Sequence, residues 1–93
     1  MSVYIVSRVD ISDMETMSGY MAAAPETVAA HGGRYIVRTA NIEKLEGETS
    51  CDRVVVLEFP TREQALDWYN SQDYRPLRDI RWQAAKASIL LVE

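Results

Sequence analysis

Residues 53–60, Arg53-Val54-Val55-Val56-Leu57-Glu58-Phe59-Pro60, decide how this chain folds. Val54 to Leu57 are β-branched or bulky apolar residues at consecutive positions, a strand composition. Successive side chains of a strand point to opposite faces of its sheet. Apolar residues at both parities therefore mean burial on both faces, as for a central strand. Pro60 has no N–H to give to a ladder and ends the strand.

Upstream lies a polar, turn-like stretch, Gly47 to Asp52, and before it a second strand, Arg34 to Thr39. A continuation of that strand after a bend at Ala40-Asn41, through Ile42, Lys44 and Leu45, is left open. His31-Gly32-Gly33 reads as the end of a helix: glycine suits the left-handed stop, and His31 faces the negative end of the dipole. The helix itself is announced by Ser12 with Glu15 three residues on, the form of a capping box with Ser12 at the N-cap. Met14, Met17, Met21, Ala24 and Val28 then step by 3, 4, 3 and 4 and share one helical face. Pro25 removes one intrahelical hydrogen bond, so a kink or a break into two pieces is expected there. Val3 to Val9, rich in β-branched and aromatic residues, is the first strand.

Downstream, Thr61 with Gln64 offers a second capping box, opening a helix that buries Ala65, Trp68 and Tyr69. Asn70-Ser71-Gln72-Asp73 breaks it. A further helical stretch carries Tyr74, Leu77, Ile80 and Ala84, with Pro76 in its first turn, where a missing N–H is harmless. Ala87 to Val92 is the last strand. The order strand, helix, strand, strand, helix, strand, with right-handed crossovers, is an α+β fold of the ferredoxin-like β-α-β-β-α-β kind. Its four-stranded antiparallel sheet has helices on one face only. The other face is also apolar, and a patch of that kind marks an interaction surface. Pairing with a second copy about a two-fold axis is the expected solution. Val55→Glu and Leu57→Glu are expected to separate such a homodimer.

The 93 residues make one domain, 1–93, whose small core is commonly supplemented by oligomerisation. Charged residues make up 26% of the chain and no apolar run approaches a membrane span, which excludes a membrane protein. The first residues read as a strand and not as a secretion signal. The single cysteine, Cys51, excludes an internal disulfide framework and fits a reducing interior, so a cytoplasmic location is expected. A net charge of −4 with only two lysines argues against nucleic-acid binding. Eight of the ten basic residues are arginine, the residue type that matches carboxylates two bonds at a time.

His31-Gly32-Gly33-Arg34-Tyr35 leading to Val37-Arg38, Glu58-Phe59-Pro60-Thr61, Trp68-Tyr69-Asn70-Ser71 with Tyr74, and Ile80-Arg81 leading to Leu91-Val92-Glu93 form an ordered set of motifs over nearly the whole chain. In these the chain resembles the domain-of-unknown-function 1330 family, within the dimeric α+β-barrel superfamily. The resemblance implies the ferredoxin-like fold and a dimer whose two sheets form a barrel with helices outside. It implies no reaction. Relatives in the wider superfamily include cofactor-free monooxygenases, isomerases and haem-binding enzymes, and fold is a weak guide among them.

Candidate chemistry is sparse. His31 is the only histidine, so a histidine-based acid–base scheme would rest on it; the alternative is a helix-terminal residue placed against the dipole. Cys51 has no neighbour in sequence that would lower its pKa. One histidine and one cysteine give no zinc spacing, Glu43, Glu46, Glu48 and Asp52 lack a calcium-loop pattern, and no loop cradles phosphate. Haem would have His31 as its sole histidine ligand. No metal or cofactor is therefore expected. Arg38 and Glu58 are charges inside apolar strands, and Arg81 stands at the edge of a buried helical stripe. Such charges are costly unless paired or wet. They read either as a structural ion pair at the sheet end or, with Arg8 and Arg34 as further candidates, as a site for an anion. In the second reading Tyr4, Trp68, Tyr69 and Tyr74 supply an aromatic wall. Arg75, Arg78 and Arg81, stepping by threes, read as a solvated helix face.

The expectation is thus a small cytoplasmic homodimer that binds an anionic or aromatic metabolite between sheet and helices, through Arg38, Glu58, Arg81, Trp68, Tyr69 and Tyr74. The alternatives are a cofactor-free oxygenase or isomerase, with His31, Glu58 or Tyr69 as base, and a non-enzymatic accessory dimer.

Overall fold

The computed structural model describes residues 2–47 and 51–93, so Glu48, Thr49 and Ser50 of the expected turn lie outside the described residues. Its elements are β1 (Val3–Ile11), α1 (Met14–Ala30), β2 (Arg34–Thr39), β3 (Arg53–Phe59), α2 (Arg62–Tyr69), α3 (Arg75–Ala84) and β4 (Ala85–Val92). The four strands pair antiparallel in the order β2-β3-β1-β4, which places β3 and β1 inside the sheet. This is the ferredoxin-like arrangement, with the second crossover divided between α2 and α3.

Strand parity separates the two faces. Val3, Ile5, Ser7 and Val9 of β1 are buried beneath the helices, as are Leu57 and Phe59 of β3. Directly paired residues share a face, so the register puts Ile5, Leu57 and Leu91 on the helix side and Val6, Val56 and Leu90 on the open side. On the open side Leu90 is 57% exposed and Val92 42%. Val55 and Leu57 therefore point away from the open face, and the substitutions that probe it are at Val54 and Val56. Both parities of β3 are apolar, so composition alone did not say which one meets the helices.

β2 carries an irregularity. Tyr35 pairs with Leu57 and Val37 with Val56, so Ile36 is an extra residue on the bulged strand. Beyond it Arg38 pairs with Val55 and comes to the helix side, where unbroken alternation from Tyr35 would have turned it outward. β2 ends at Thr39, and residues 41–45 form no strand.

The cap of α1 lies one residue beyond the expected one. Asp13 takes the extended N-cap conformation; its carboxylate accepts from Thr16 N at 3.2 Å and from Thr16 Oγ1 at 2.7 Å. Ser12 instead donates from both its N–H and its hydroxyl to the Ala84 carbonyl, at 2.8 and 2.9 Å, tying the start of α1 to the end of α3. Met17, Ala24 and Val28 are buried as expected, whereas Met14 is exposed. Pro25 does not break the helix, which runs unbroken from Met14 to Ala30. The proline leaves the Met21 carbonyl without its helical donor, and Arg38 Nη2 donates to that oxygen at 2.5 Å.

The helix ends as the glycines suggest. Gly32 has φ +81°, and the pair Gly33 N to Val28 O (3.0 Å) and Gly32 N to Ala29 O (3.1 Å) is a Schellman motif. Thr61 caps α2 by accepting from Gln64 N at 3.1 Å. α3 starts with a proline in its first turn and no side-chain cap. No helix among the described residues is long and apolar enough to cross a membrane.

Candidate functional site

A cavity of about 40 Å³ lies between the helix side of the sheet and the helices. Met17, Tyr20, Met21 and Ala24 of α1 form one wall. Ser7, Tyr35, Arg38, Arg53, Val55, Leu57 and Ile89 of the sheet form the floor, and Trp68, Tyr74 and Arg81 close it. Among the described residues three arginines line this space and no carboxylate does.

Arg81 is the deepest charge. It is only 4% exposed, and its Nε and Nη2 are sealed from water with no hydrogen-bond partner among the described residues. Arg81 stands on α3 in register with Tyr74 and Ala84, seven and three residues away, and this stripe is the face of α3 that meets the core. The solvated helix face expected for Arg75, Arg78 and Arg81 thus holds for Arg75 alone. Arg78 is half-buried, its guanidinium stacked between the Tyr69 ring at 5.0 Å and the Trp82 ring at 4.9 Å.

The aromatic wall is continuous. Trp68 and Tyr74 stack with centroids 4.1 Å apart, and Trp68 also contacts Phe59 at 5.6 Å. Trp68 Nε1 donates to Thr27 Oγ1 at 3.0 Å, which fixes the indole against α1. Tyr74 is fully buried, and its hydroxyl meets the Tyr20 hydroxyl at 2.6 Å. Burial pushes the Tyr20 hydroxyl above the ordinary phenol range, and the neighbouring Tyr74 oxygen adds to the shift. Burial likewise raises Tyr35, against an opposing pull from Arg38, whose guanidinium lies 5.2 Å from its ring centre. Tyr20 and Tyr35 are thus neutral hydrogen-bond donors at neutral pH.

Arg38, Arg81, Trp68 and Tyr74 are thus brought together. Glu58 is not among them. It lies on the open face, where Arg34 Nε donates to its Oε1 at 2.6 Å and the Tyr4 hydroxyl to its Oε2 at 3.2 Å. The Arg34 hydrogen bond is the main reason its carboxyl sits below the ordinary range. Tyr4 follows Glu58 to the open face, and Arg8 pairs across β1 and β3 with Val54 on that same side. Tyr69 packs behind Tyr74 at 6.0 Å and does not line the cavity. His31 is held at the end of α1: its Nδ1 lies 3.0 Å from the Thr27 carbonyl oxygen, and its own carbonyl accepts from Gln64 Nε2. Tyr20, Tyr35 and Arg53 complete the cavity without having been singled out. Tyr20 sits three residues after Met17 and four before Ala24, so the helical stripe already held the signal for it. Among the described residues no three His, Cys, Asp or Glu side chains converge as metal ligands.

Solved structures share this architecture. A protein of unknown function from Rhodopseudomonas palustris superposes with a TM-score of 0.82 at 16% identity, over 98% of this chain and 80% of that one. A dimeric ferredoxin-like protein of unknown function from Jannaschia sp. CCS1 does so at 0.77 and 8% identity, over 100% and 99%. SnoaB, a cofactor-independent oxygenase from Streptomyces nogalater, gives 0.70 at 12% identity, over 99% and 91%. At these identities the likeness is one of fold. No curated protein matches the chain. The profile of the domain of unknown function DUF1330 matches residues 2–93, and the chain belongs to that family.

Proposed function

We propose that this protein is a homodimer that binds a small anionic metabolite in the cavity between sheet and helices of each subunit. The observation that carries the reading is the cavity's charge: Arg38, Arg53 and Arg81 line it, and no carboxylate among the described residues balances them. Of the three, Arg81 is held out of water, where a cation is costly unless it is paired, so an anion is the natural occupant. Trp68, Tyr74, Met17 and Leu57 supply apolar walls for the rest of the ligand. A guest the size of benzene needs roughly 150 Å³, well above what is enclosed here, so a small or slender anion fits better than an aromatic one.

The dimer rests on the open face, where Val6, Val37, Val54, Val56, Leu90 and Val92 have no helix above them. A neighbour of the same fold is described as dimeric. Such a face pairs most simply with itself.

The test of the binding reading is thermal unfolding of the wild type with a panel of small anions and uncharged analogues at matched ionic strength. At least one anion raises the midpoint, and Arg38→Ala and Arg81→Ala each reduce the gain. A panel in which no anion acts, or in which the gain survives both substitutions, defeats it.

An enzymatic reading, a cofactor-free oxygenase or isomerase, draws on the shared fold with SnoaB. Its base would have to come from the cavity, and His31, Glu58 and Tyr69 lie outside. Tyr20 remains, but a phenol raised by burial is a poor base at neutral pH. Binding without turnover is therefore the better supported of the two. An accessory dimer that acts only through its surface would leave the buried Arg81 unexplained.

A further inference from the structure

The cavity can be characterised by counting donors and acceptors. Nε and Nη2 are the two nitrogens along one edge of a guanidinium, and their N–H bonds on that edge run parallel. That edge is the fork that meets the two oxygens of a planar carboxylate in a bidentate pair. In Arg81 these same two atoms lack any partner among the described residues. Beside them, one of the Tyr20 and Tyr74 hydroxyls donates to the other at 2.6 Å. Two phenols carry two protons, and no other hydrogen bond among the described residues uses the second. The Tyr74 oxygen accepts from the Arg81 guanidinium and Tyr20 lies beside it, so the unpartnered Nε–H and Nη2–H stand close to the second phenolic proton, and no carboxylate among the described residues lines the cavity wall.

From this we infer that the cavity is a carboxylate site: Arg81 grips both oxygens of a monocarboxylate side-on through Nε and Nη2, and the free phenolic proton of the Tyr20–Tyr74 pair donates to one of them. The inference rests on the anion-binding reading above and narrows it to a chemical class. A carboxylate has acceptors and no donor, which is what three unmatched donors require. Inorganic phosphate satisfies the fork equally well but brings four oxygens and more charge. The apolar remainder of the wall, Met17, Met21, Val55 and Leu57, leaves the surplus oxygens unsolvated. A cavity of about 40 Å³ takes the head of a short-chain acid, with the chain running along the methionines. An amide of the same shape fails for a different reason: it presents an N–H₂ to the fork, donor against donor.

The test uses the intact protein, with propionate, propionamide and inorganic phosphate as probes at constant ionic strength, read by NMR of the arginine Nε–H groups. Propionate is expected to move the Arg81 Nε–H resonance downfield, and to bind at least tenfold more tightly than propionamide or phosphate. Arg81→Lys keeps the charge and gives up the fork, and is expected to weaken propionate at least tenfold while other resonances stay in place. Tyr74→Phe is expected to weaken it several-fold. The propionate–propionamide comparison on the wild type needs no variant and stands if Arg81→Lys fails to fold. Phosphate or propionamide binding as tightly as propionate, or Arg81→Lys binding like the wild type, overturns the carboxylate fork and leaves the general anion site intact. No response to either anion overturns both.

Discussion

Arg38 donates from Nη2 to the Met21 carbonyl oxygen at 2.5 Å, and so stands in for the N–H that Pro25 lacks. The bond joins β2 to the middle of α1 across the cavity rim. It explains why a proline in mid-helix leaves the helix continuous: the orphaned acceptor is satisfied from another element.

The two residues should therefore be energetically coupled. Arg38→Met is expected to destabilise the fold by about 1 kcal/mol, the low end for a charged donor because Arg38 is exposed. In a Pro25→Ala background the N–H at position 25 returns, and the same substitution is expected to cost about 0.5 kcal/mol less. Urea unfolding of the four proteins at one fixed concentration measures the cycle. Equal penalties in both backgrounds would mean that the bond does not replace the helical one.

Neighbouring residues of β3 should fail in different ways. Val56→Glu places a charge on the open face, and the variant is expected to stay folded while its mass in sedimentation equilibrium falls to that of one chain. Leu57 is 3% exposed beneath the helices, and Leu57→Glu is expected to cost several kcal/mol and to unfold the domain outright. A folded, still dimeric Val56→Glu protein would place the interface elsewhere.

Tyr20 gives the protein an alkaline limit. Burial raises its folded-state pKa above the ordinary 10.0, so the folded state holds its proton where the unfolded chain has lost it. That contribution is fully present below pH 10 and is lost as pH rises through the folded value. The thermal midpoint is expected to fall above pH 10, with tyrosinate absorbance rising at the same point, and to fall less steeply in Tyr20→Phe. Ionisation of Tyr20 near pH 10 without unfolding would contradict its burial.

Gly33 is constrained by space. A Cβ built there would lie 2.5 Å from Cε1 of Phe59, a ring with no exposure and no room to retreat. Gly33→Ala is expected to destabilise by about 2–3 kcal/mol, as overpacking of a closed core does. Gly19→Ala, where no atom lies within 4 Å of the added carbon, is the control and should be neutral or mildly stabilising. Chemical denaturation of the two variants distinguishes them.

Much of the architecture was legible in the sequence because its signals are local. The run Val54 to Leu57 marks an interior strand, Thr61 with Gln64 marks a helix start, and Gly32 marks a helix end. What escaped depended on partners distant in sequence. Pro25 predicts a break only if nothing else can reach Met21. Ser12 and Asp13 are both competent caps, and Ser12 is drawn off by the Ala84 carbonyl from the other end of the chain. The parity of β3 was ambiguous because both faces are apolar. For the site, Arg38, Arg81, Trp68 and Tyr74 were singled out as charges and aromatics in apolar company. Glu58 shared that description, and nothing local says that Arg34 and Tyr4 hold it on the opposite face. Tyr20 escapes for a simpler reason: it looks like one more core residue on a helical stripe, and its role follows from the Tyr74 hydroxyl it meets at the start of α3.

The extra residue in β2 has a consequence for how this chain tolerates changes of length. Tyr35 and Arg38 are three positions apart and still face the same way, because the bulge at Ile36 absorbs the odd residue. A relative one residue shorter between them would keep both walls of the cavity, merely straightening the outer strand. In β3 there is no such slack. A deletion ahead of Val55 would advance the frame by one, turning Val55 outward and drawing Val54 in behind it, so that the lining of the cavity and the open face of the sheet would trade places.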